Sequence, residues 1–388
     1  MKIMEKHGYR AYAVGGCVRD AVMGREPSDW DMTTNASPEK MIEIFSLEGV
    51  RTIPTGLKHG TVTVLLDGES YEVTTFRIDG SYTDSRHPDK VVFTQNVEDD
   101  LARRDFTVNA MAAAPITDAA TVGGDKNAKS AEIIDVFGGI ADIENKIIRA
   151  VGDPKRRFTE DALRILRAVR FAATLGFEIE ENTKKAAARL ACGLQKVSIE
   201  RKIVELKKML LSNGADYGIE LLFELGLEKY IHSDIKKPAR SLLTLPEKFE
   251  TRMAALLFEN ENAPDLSSLK LSRTESHGIK KLCDKRTFCH EISEKNARRM
   301  IFEYGELAYD AAMLHRIPEL AELIEKQAKN SPCVSIAQLK VSGNDLITEG
   351  IEPRSIGKIM SYLLDKVIDE PQLNEKEKLI SLAKKFEV

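Results

Sequence analysis

The chain lacks the parts of a metal-thiolate site or a membrane span. Its 388 residues hold five cysteines, at 17, 192, 283, 289 and 333, scattered and odd in number. No Cys-x-x-Cys pair occurs, which argues against zinc. No apolar run approaches the ~18 residues that a transmembrane helix needs. The opening Met1-Lys2-Ile3-Met4-Glu5-Lys6 has no apolar core of a signal peptide. A cytoplasmic location with no membrane attachment is therefore expected. There is no internal repeat and no low-complexity tract. Nor is there an excess of positive charge: the formal net charge is −4.

What is present is the composition of an ordinary globular protein, 43% hydrophobic and 30% charged, long enough for two or more domains. Its basic residues are unevenly placed. Lys146 to Arg170 carries eight basic and three acidic residues, and Lys280 to Met300 carries seven and three. A phosphate backbone needs a basic stripe and not a basic average. Solvated helix faces explain either segment equally well when it is taken alone.

Residues 1 to about 145 read as mixed α/β. Thr61–Leu66 and Tyr71–Phe76 are rich in β-branched and aromatic residues and flank Asp67-Gly68-Glu69-Ser70, a hairpin signal. Val91-Val92-Phe93 is a further short strand. Ser37-Pro38 opens a helix as N-cap and first residue. Beyond about residue 145 the pattern is helical, with helices near 160–175, 182–192, 198–212, 215–226, 293–305, 307–326 and 372–386. A change of helical subdomain is expected around 235–265.

Two stretches carry chemistry. The first is Val14-Gly15-Gly16-Cys17-Val18-Arg19-Asp20, followed by Asp29-Trp30-Asp31. Glycines let the backbone come close to phosphates, and Arg19 suits a bidentate phosphate clamp. Strand alternation puts Asp29 and Asp31 on one face, where two carboxylates can hold a pair of Mg²⁺ ions. Glu72, in a predicted strand, is the candidate for a third carboxylate. A D-x-D alone is common. The second stretch is Phe158–Phe171, read as a helix capped by Thr159, with Glu160 and Asp161 in its first turn. Asp161 and Arg164 are three apart and so neighbours on that helix, and Arg167 and Arg170 continue the ladder. A surface ion pair is the plainer reading of that spacing.

The first stretch resembles the opening motif of class II tRNA nucleotidyltransferases and bacterial poly(A) polymerases, members of the DNA polymerase β-like nucleotidyltransferase superfamily. Asp100–Met111 resembles their second motif, which implies that Arg104 contacts the incoming nucleotide, with Asp105 and Asn109 beside it. Glu160-Asp161-Ala162-Leu163-Arg164 matches the family's EDxxR motif, which reads the base with amino acids. A carboxylate only accepts and a guanidinium only donates. Cytosine and adenine present the same donor–acceptor order to such a pair, while uracil and guanine present the reverse. The resemblance also places Gly16, Arg19, Arg167 and Arg170 on the nucleotide. Ile134–Pro154 resembles a head–neck hinge, in which Gly138-Gly139 would give backbone freedom, although a plain turn explains those glycines equally well. Ser198–Ile203 resembles the motif that stiffens the neck. The polar stretch Arg77–Lys90 reads as a mobile loop, although an ordinary solvated connection explains it equally well alone; the resemblance implies that a loop of this full length goes with complete CCA addition and not CC addition. Leu339–Met360 resembles the C-terminal region of Gram-positive-type CCA-adding enzymes. Some relatives carry an HD phosphohydrolase domain, but this chain has no His-Asp dipeptide.

The expected fold is α+β: a polymerase β-like head (1–145) with a mixed or antiparallel sheet, then an all-helical neck (146–212), body (213–330) and tail (331–388). The implied function is Mg²⁺-dependent addition of CCA to the 3′ end of tRNA from CTP and ATP, with body and tail on the tRNA elbow. A poly(A) polymerase, a CC- or A-only adding enzyme, and a silent RNA-binding protein are the alternatives.

Overall fold

The computed structural model describes residues 1–80, 91–115, 131–260 and 263–386. The chain forms two compact units, Met1–Ser233 and Asp234–Val388.

The first unit begins with a seven-stranded sheet. Its strands are β1 (Ala11–Val14), β2 (Met32–Thr34), β3 (Arg51–Gly56), β4 (Thr61–Leu66), β5 (Glu69–Thr75), β8 (Ala112–Pro115) and β9 (Ala131–Ile134), in the order β3-β4-β5-β2-β1-β8-β9. Only the β2–β5 pairing is parallel; the others are antiparallel. The remaining strands, β6 (Arg77–Asp79) and β7 (Val91–Phe93), pair with each other. The β4–β5 hairpin closes through Asp67 and Gly68, both with positive φ, as a two-residue turn of matching twist requires. Alternation in β4 buries Val62 and Val64, which pack with Val73 against Met41, Ile44 and Phe45. Those last three lie on the helix Pro38–Leu47, where Ser37 accepts from the Lys40 amide at 3.3 Å and Pro38 takes the first position, as expected. The other face of the sheet is covered by Phe76, Val97 and Leu101.

The stretch read as a mobile loop is partly strand. Arg77–Asp79 and Val91–Phe93 form a ladder because Ile78 and Val92 meet across it. The rest of that loop, 81–90, lies outside the described residues. Gly138 adopts a left-handed φ of 76° and ends in the helix Gly139–Glu144. Gly139 itself is a packing glycine: a methyl there would overlap the Thr107 carbonyl oxygen and lie 2.9 Å from Met111 Cγ. Turn geometry requires Gly138 and close approach requires Gly139.

The helices that follow include Pro154–Glu160, Leu163–Leu175, Glu181–Leu190, Ile199–Leu210 and Ala215–Glu224. The expected single helix at 160–175 is thus two. Asp153 caps the first of them, accepting from the Lys155 amide, with Pro154 at the first position. Thr159 is no cap; its hydroxyl donates to the Lys155 carbonyl four residues back.

In the second unit the expected helix 307–326 is also divided, into Ala308–Leu314 and Pro318–Lys329, because Arg316 turns with φ 64° before Pro318. Helices at Arg273–Cys283 and Ile356–Asp369 were not anticipated. The first has a complete capping box, Ser272 with Glu275. The second buries Ile359, Leu363, Leu364 and Val367 at helical spacing.

Candidate nucleotide site

The turn after β1 is built around Gly15. Its φ of 84° suits glycine, and a Cβ there would lie 3.0 Å from Arg104 Nη1. Gly16 begins the helix Gly16–Val22 and faces the Arg19 guanidinium, with ordinary room for a Cβ. The absolute requirement for glycine therefore falls on Gly15.

Asp29 and Asp31 precede β2 instead of lying within it, since the strand begins at Met32. The Asp31 carbonyl still accepts from the Val14 amide at 2.9 Å, which ties it to the end of β1. The parallel register Met32↔Val73 sets Asp31 level with Glu72 on the next strand. Asp29, Asp31 and Glu72 line one open pocket of about 560 Å³ with Glu69 and Tyr71. Partial desolvation pushes the Asp31 carboxyl above its ordinary pKa; Arg104 opposes the rise and Asp29 adds to it. Among the described residues neither carboxylate of the Asp29/Asp31 pair is hydrogen-bonded or ion-paired. The two carboxylates repel each other and form no direct ion pair among the described residues, Arg104 acting on Asp31 only through its field, and so they are a fitting donor set for a hard divalent cation. Among the described residues no three His, Cys, Asp or Glu side chains converge as a metal cluster, so Glu72 shares the pocket without completing a set.

Behind this pocket stands an arginine network. Asp100 is fully buried, and burial would raise its pKa. Arg103 at 2.8 Å and Arg104 at 3.3 Å outweigh that and hold it below the carboxylate range. Burial lowers the pKa of Arg104, and among the described residues its Nε has no hydrogen-bond partner. Asp105 is placed by two backbone links, since Thr107 donates to the Arg149 carbonyl and Val151 to that of Asp105. Its Oδ1 accepts from the Phe106 amide at 2.9 Å and from Asn109 Nδ2 at 3.3 Å. Its Oδ2 accepts from Arg167 Nε at 2.7 Å. Burial opposes ionisation of Asp105, but Arg167 and Arg164 prevail and hold its pKa at about 2. Asn109 Oδ1 accepts from Arg19 Nη1 at 2.6 Å, and Glu205 accepts from Arg170 Nε at 2.5 Å. Arg19 thus meets Arg167 and Arg170, far on in the sequence and neighbours on one helix, in one cluster of hydrogen bonds and ion pairs closed by Arg167 and Glu205 at 3.8 Å.

Asp161 and Arg164 do not pair with each other. The chain is extended at Asp161, with φ −145° and ψ 105°, so Asp161 lies between two helices and not in a first turn. Its Oδ1 accepts from the Leu163 amide at 3.0 Å, and its Oδ2 from Arg201 Nη2 at 2.7 Å. Arg164 instead donates to Glu160 at 2.9 Å, the last residue of the preceding helix, and to the Arg103 carbonyl at 3.0 Å. The break separates the two side chains' partners, and each is held independently.

Sequence reasoning missed Asp100, Arg201 and Glu205 as partners. Arg201 and Glu205 lie on one helix, Ile199–Leu210, at i and i+4; an acid buried beside a basic residue on that helix was the available signal.

Residues 11–149 match the family described as poly A polymerase head domain, and 176–237 match a probable RNA and SrmB-binding site of polymerase A. The chain is 34% identical to a CCA-adding enzyme of Leuconostoc citreum, over 99% of this chain and 94% of that one. It is 35% identical to a CCA-adding enzyme of Enterococcus faecalis, covering 97% and 92%. A crystal structure of the Bacillus stearothermophilus CCA-adding enzyme in complex with CTP superposes with a TM-score of 0.80, at 31% identity, covering 99% of this chain and 95% of that one. No helix among the described residues is long and apolar enough to cross a membrane.

Proposed function

The chain belongs to the family of CCA-adding enzymes, and from that premise we propose that it extends the 3′ end of tRNA by C, C and A without a nucleic-acid template. It is a nucleotidyltransferase with CTP and ATP as substrates and tRNA as partner. The relatives it matches over nearly their whole length are CCA-adding enzymes, so poly(A) synthesis is not the favoured reading. We place the reaction in the cytoplasm.

Asp29 and Asp31 would hold divalent cations, which we assign as Mg²⁺. Bound there, such cations would supply acidification of the terminal ribose hydroxyl and neutralisation of the triphosphate and its leaving pyrophosphate. The chain's own residues do the rest. The open backbone at Gly15-Gly16 lets the nucleotide approach, with Arg19, Arg104, Arg167 and Arg170 drawn to its phosphates and sugar. Asp161 accepts from the exocyclic amino group of cytosine or adenine, and Arg164 donates to the adjacent ring nitrogen. Uracil or guanine would leave donor facing donor and acceptor facing acceptor, at ~1–3 kcal/mol for each unpaired group. The basic neck (146–212) and the 280–300 segment would lie along the tRNA backbone. Body (213–330) and tail (331–388) would hold the elbow.

The observation that carries base selection is the separate anchoring of Asp161 by Arg201 and of Arg164 by Glu160. Neither neutralises the other, and each keeps hydrogen-bonding capacity for a base. The test offers tRNA ending before CC to the enzyme with each labelled nucleotide in turn. CCA is the expected product. Arrest after two C residues would overturn complete addition, and long A tails on arbitrary RNA would return the poly(A) reading. Asp29→Ala should abolish incorporation while the fold persists by circular dichroism; retained activity refutes the metal assignment.

A further inference from the structure

Phe171 is 6% exposed and lies at the meeting point of three guanidinium groups. The Cζ of Arg170 sits 3.7 Å from the ring centroid, that of Arg167 5.2 Å and that of Arg19 5.4 Å. The ring is itself fixed by Phe106, which meets it edge to face at 5.7 Å and 77°. Like charges this close need a common partner. Carboxylates supply part of it, but each carboxylate occupies N–H donors. An aromatic face binds a guanidinium through its flat side and occupies none.

The difference matters most at Arg170. Its Nε donates to Glu205. Among the described residues its two terminal nitrogens have no protein partner. Burial lowers its pKa, with Glu205 opposing. A largely buried guanidinium, stacked on a ring with two nitrogens unspent, is oriented for a bidentate anion.

We propose that Phe171 is a positioning residue for the nucleotide's triphosphate: it fixes the plane of Arg170, and secondarily of Arg19 and Arg167, while leaving Arg170's terminal N–H groups for phosphate oxygens. This rests on the reading that these arginines contact the nucleotide. Among the described residues the ring and cation contacts of Phe171 are with Phe106, Arg19, Arg167 and Arg170 and not with Asp161 or Arg164, so its effect falls on CTP and ATP alike.

The test uses the full chain with tRNA ending before CC or before A. Phe171→Leu should raise KM for CTP and for ATP by about tenfold each, the factor expected for losing a desolvated cation–π contact. Their ratio and the choice against UTP and GTP should not move. Phe171→Tyr keeps the ring and should restore KM to within a few-fold. Phe171→Met, of similar volume without a ring, carries the same expectation if Phe171→Leu does not fold. In an Arg170→Ala background the Phe171→Leu step should lose most of its effect. An unchanged KM in both ringless variants overturns the proposal, as does an equally large effect when Arg170 is absent. If Arg170→Ala alone leaves KM unchanged, the nucleotide assignment of Arg170 falls, and the proposal with it. If Arg170→Ala raises KM but Phe171→Leu does not, only the proposal falls.

Discussion

Replacing Asp105 by asparagine keeps the side chain's shape and removes its charge. Oδ2 of Asp105 accepts from Arg167 Nε at 2.7 Å and forms an ion pair with Arg167 Nη2 at 2.5 Å, and Oδ1 accepts from the Phe106 amide and Asn109. An amide at this position turns either a donor toward Arg167 or a donor toward a backbone N–H. The carboxyl is held at about 2 against an ordinary 3.8. A folded pKa below the unfolded one stabilises the fold above the unfolded value, and that stability drains away as pH falls through the folded one. The gap corresponds to ~2 kcal/mol, present in full at neutral pH and lost between about pH 4 and 2. For a compact unit of the size of Met1–Ser233, that amounts to a fall of about 4–8 °C in the melting temperature. Calorimetry of both proteins at pH 7 and across pH 5 to 2 measures it. The deficit of Asp105→Asn should be large at pH 7 and narrow as wild type loses its advantage in acid. A variant melting within 1 °C of wild type at pH 7, or a deficit independent of pH, would refute the electrostatic account.

Other outcomes follow from the same contacts. Arg201→Ala removes the side-chain anchor of Asp161 and should raise misincorporation of UTP and GTP by about tenfold, from ~1–3 kcal/mol of lost discrimination; single-nucleotide incorporation assays read this, and unchanged fidelity counts against the anchor. Gly139→Ala sets a methyl against the Thr107 carbonyl and Met111, so chemical denaturation should show ~1–3 kcal/mol of destabilisation. A neutral effect would mean that the turn can yield. Burial pushes the Cys283 thiol up to about 12, whereas Cys192 is exposed. A thiol reagent at pH 8 should modify Cys192 long before Cys283, and mass spectrometry of the labelled peptides checks the order.

Local patterns showed themselves wherever the physics was local. The Asp67-Gly68 hairpin, the Ser37-Pro38 cap and the alternation of Val62 and Val64 each depend on a few adjacent residues. The break at Asp161 did not show, because Glu160 to Arg164 has good helix formers and no proline or glycine. What interrupts it is tertiary: Arg201, forty residues on, holds the Asp161 carboxylate, which caps the Leu163 amide. The helix Ile356–Asp369 was passed over although its buried residues keep helical spacing; Gly357 near its start weakened the signal.

The sequence by itself determined which groups are available. It carries two carboxylates one residue apart, a glycine turn before an arginine, and an acid and a base three apart in a basic segment. Residue type and spacing settle donor chemistry, and so the class of reaction. Only the tertiary structure decided who partners whom. Among the described residues it left Asp29 and Asp31 without a direct ion pair, separated Asp161 from Arg164, and gathered Arg19, Arg167 and Arg170 around Phe171. Charges act through space over a few ångströms, and a buried carboxylate takes whichever guanidinium the packing delivers, at whatever distance along the chain.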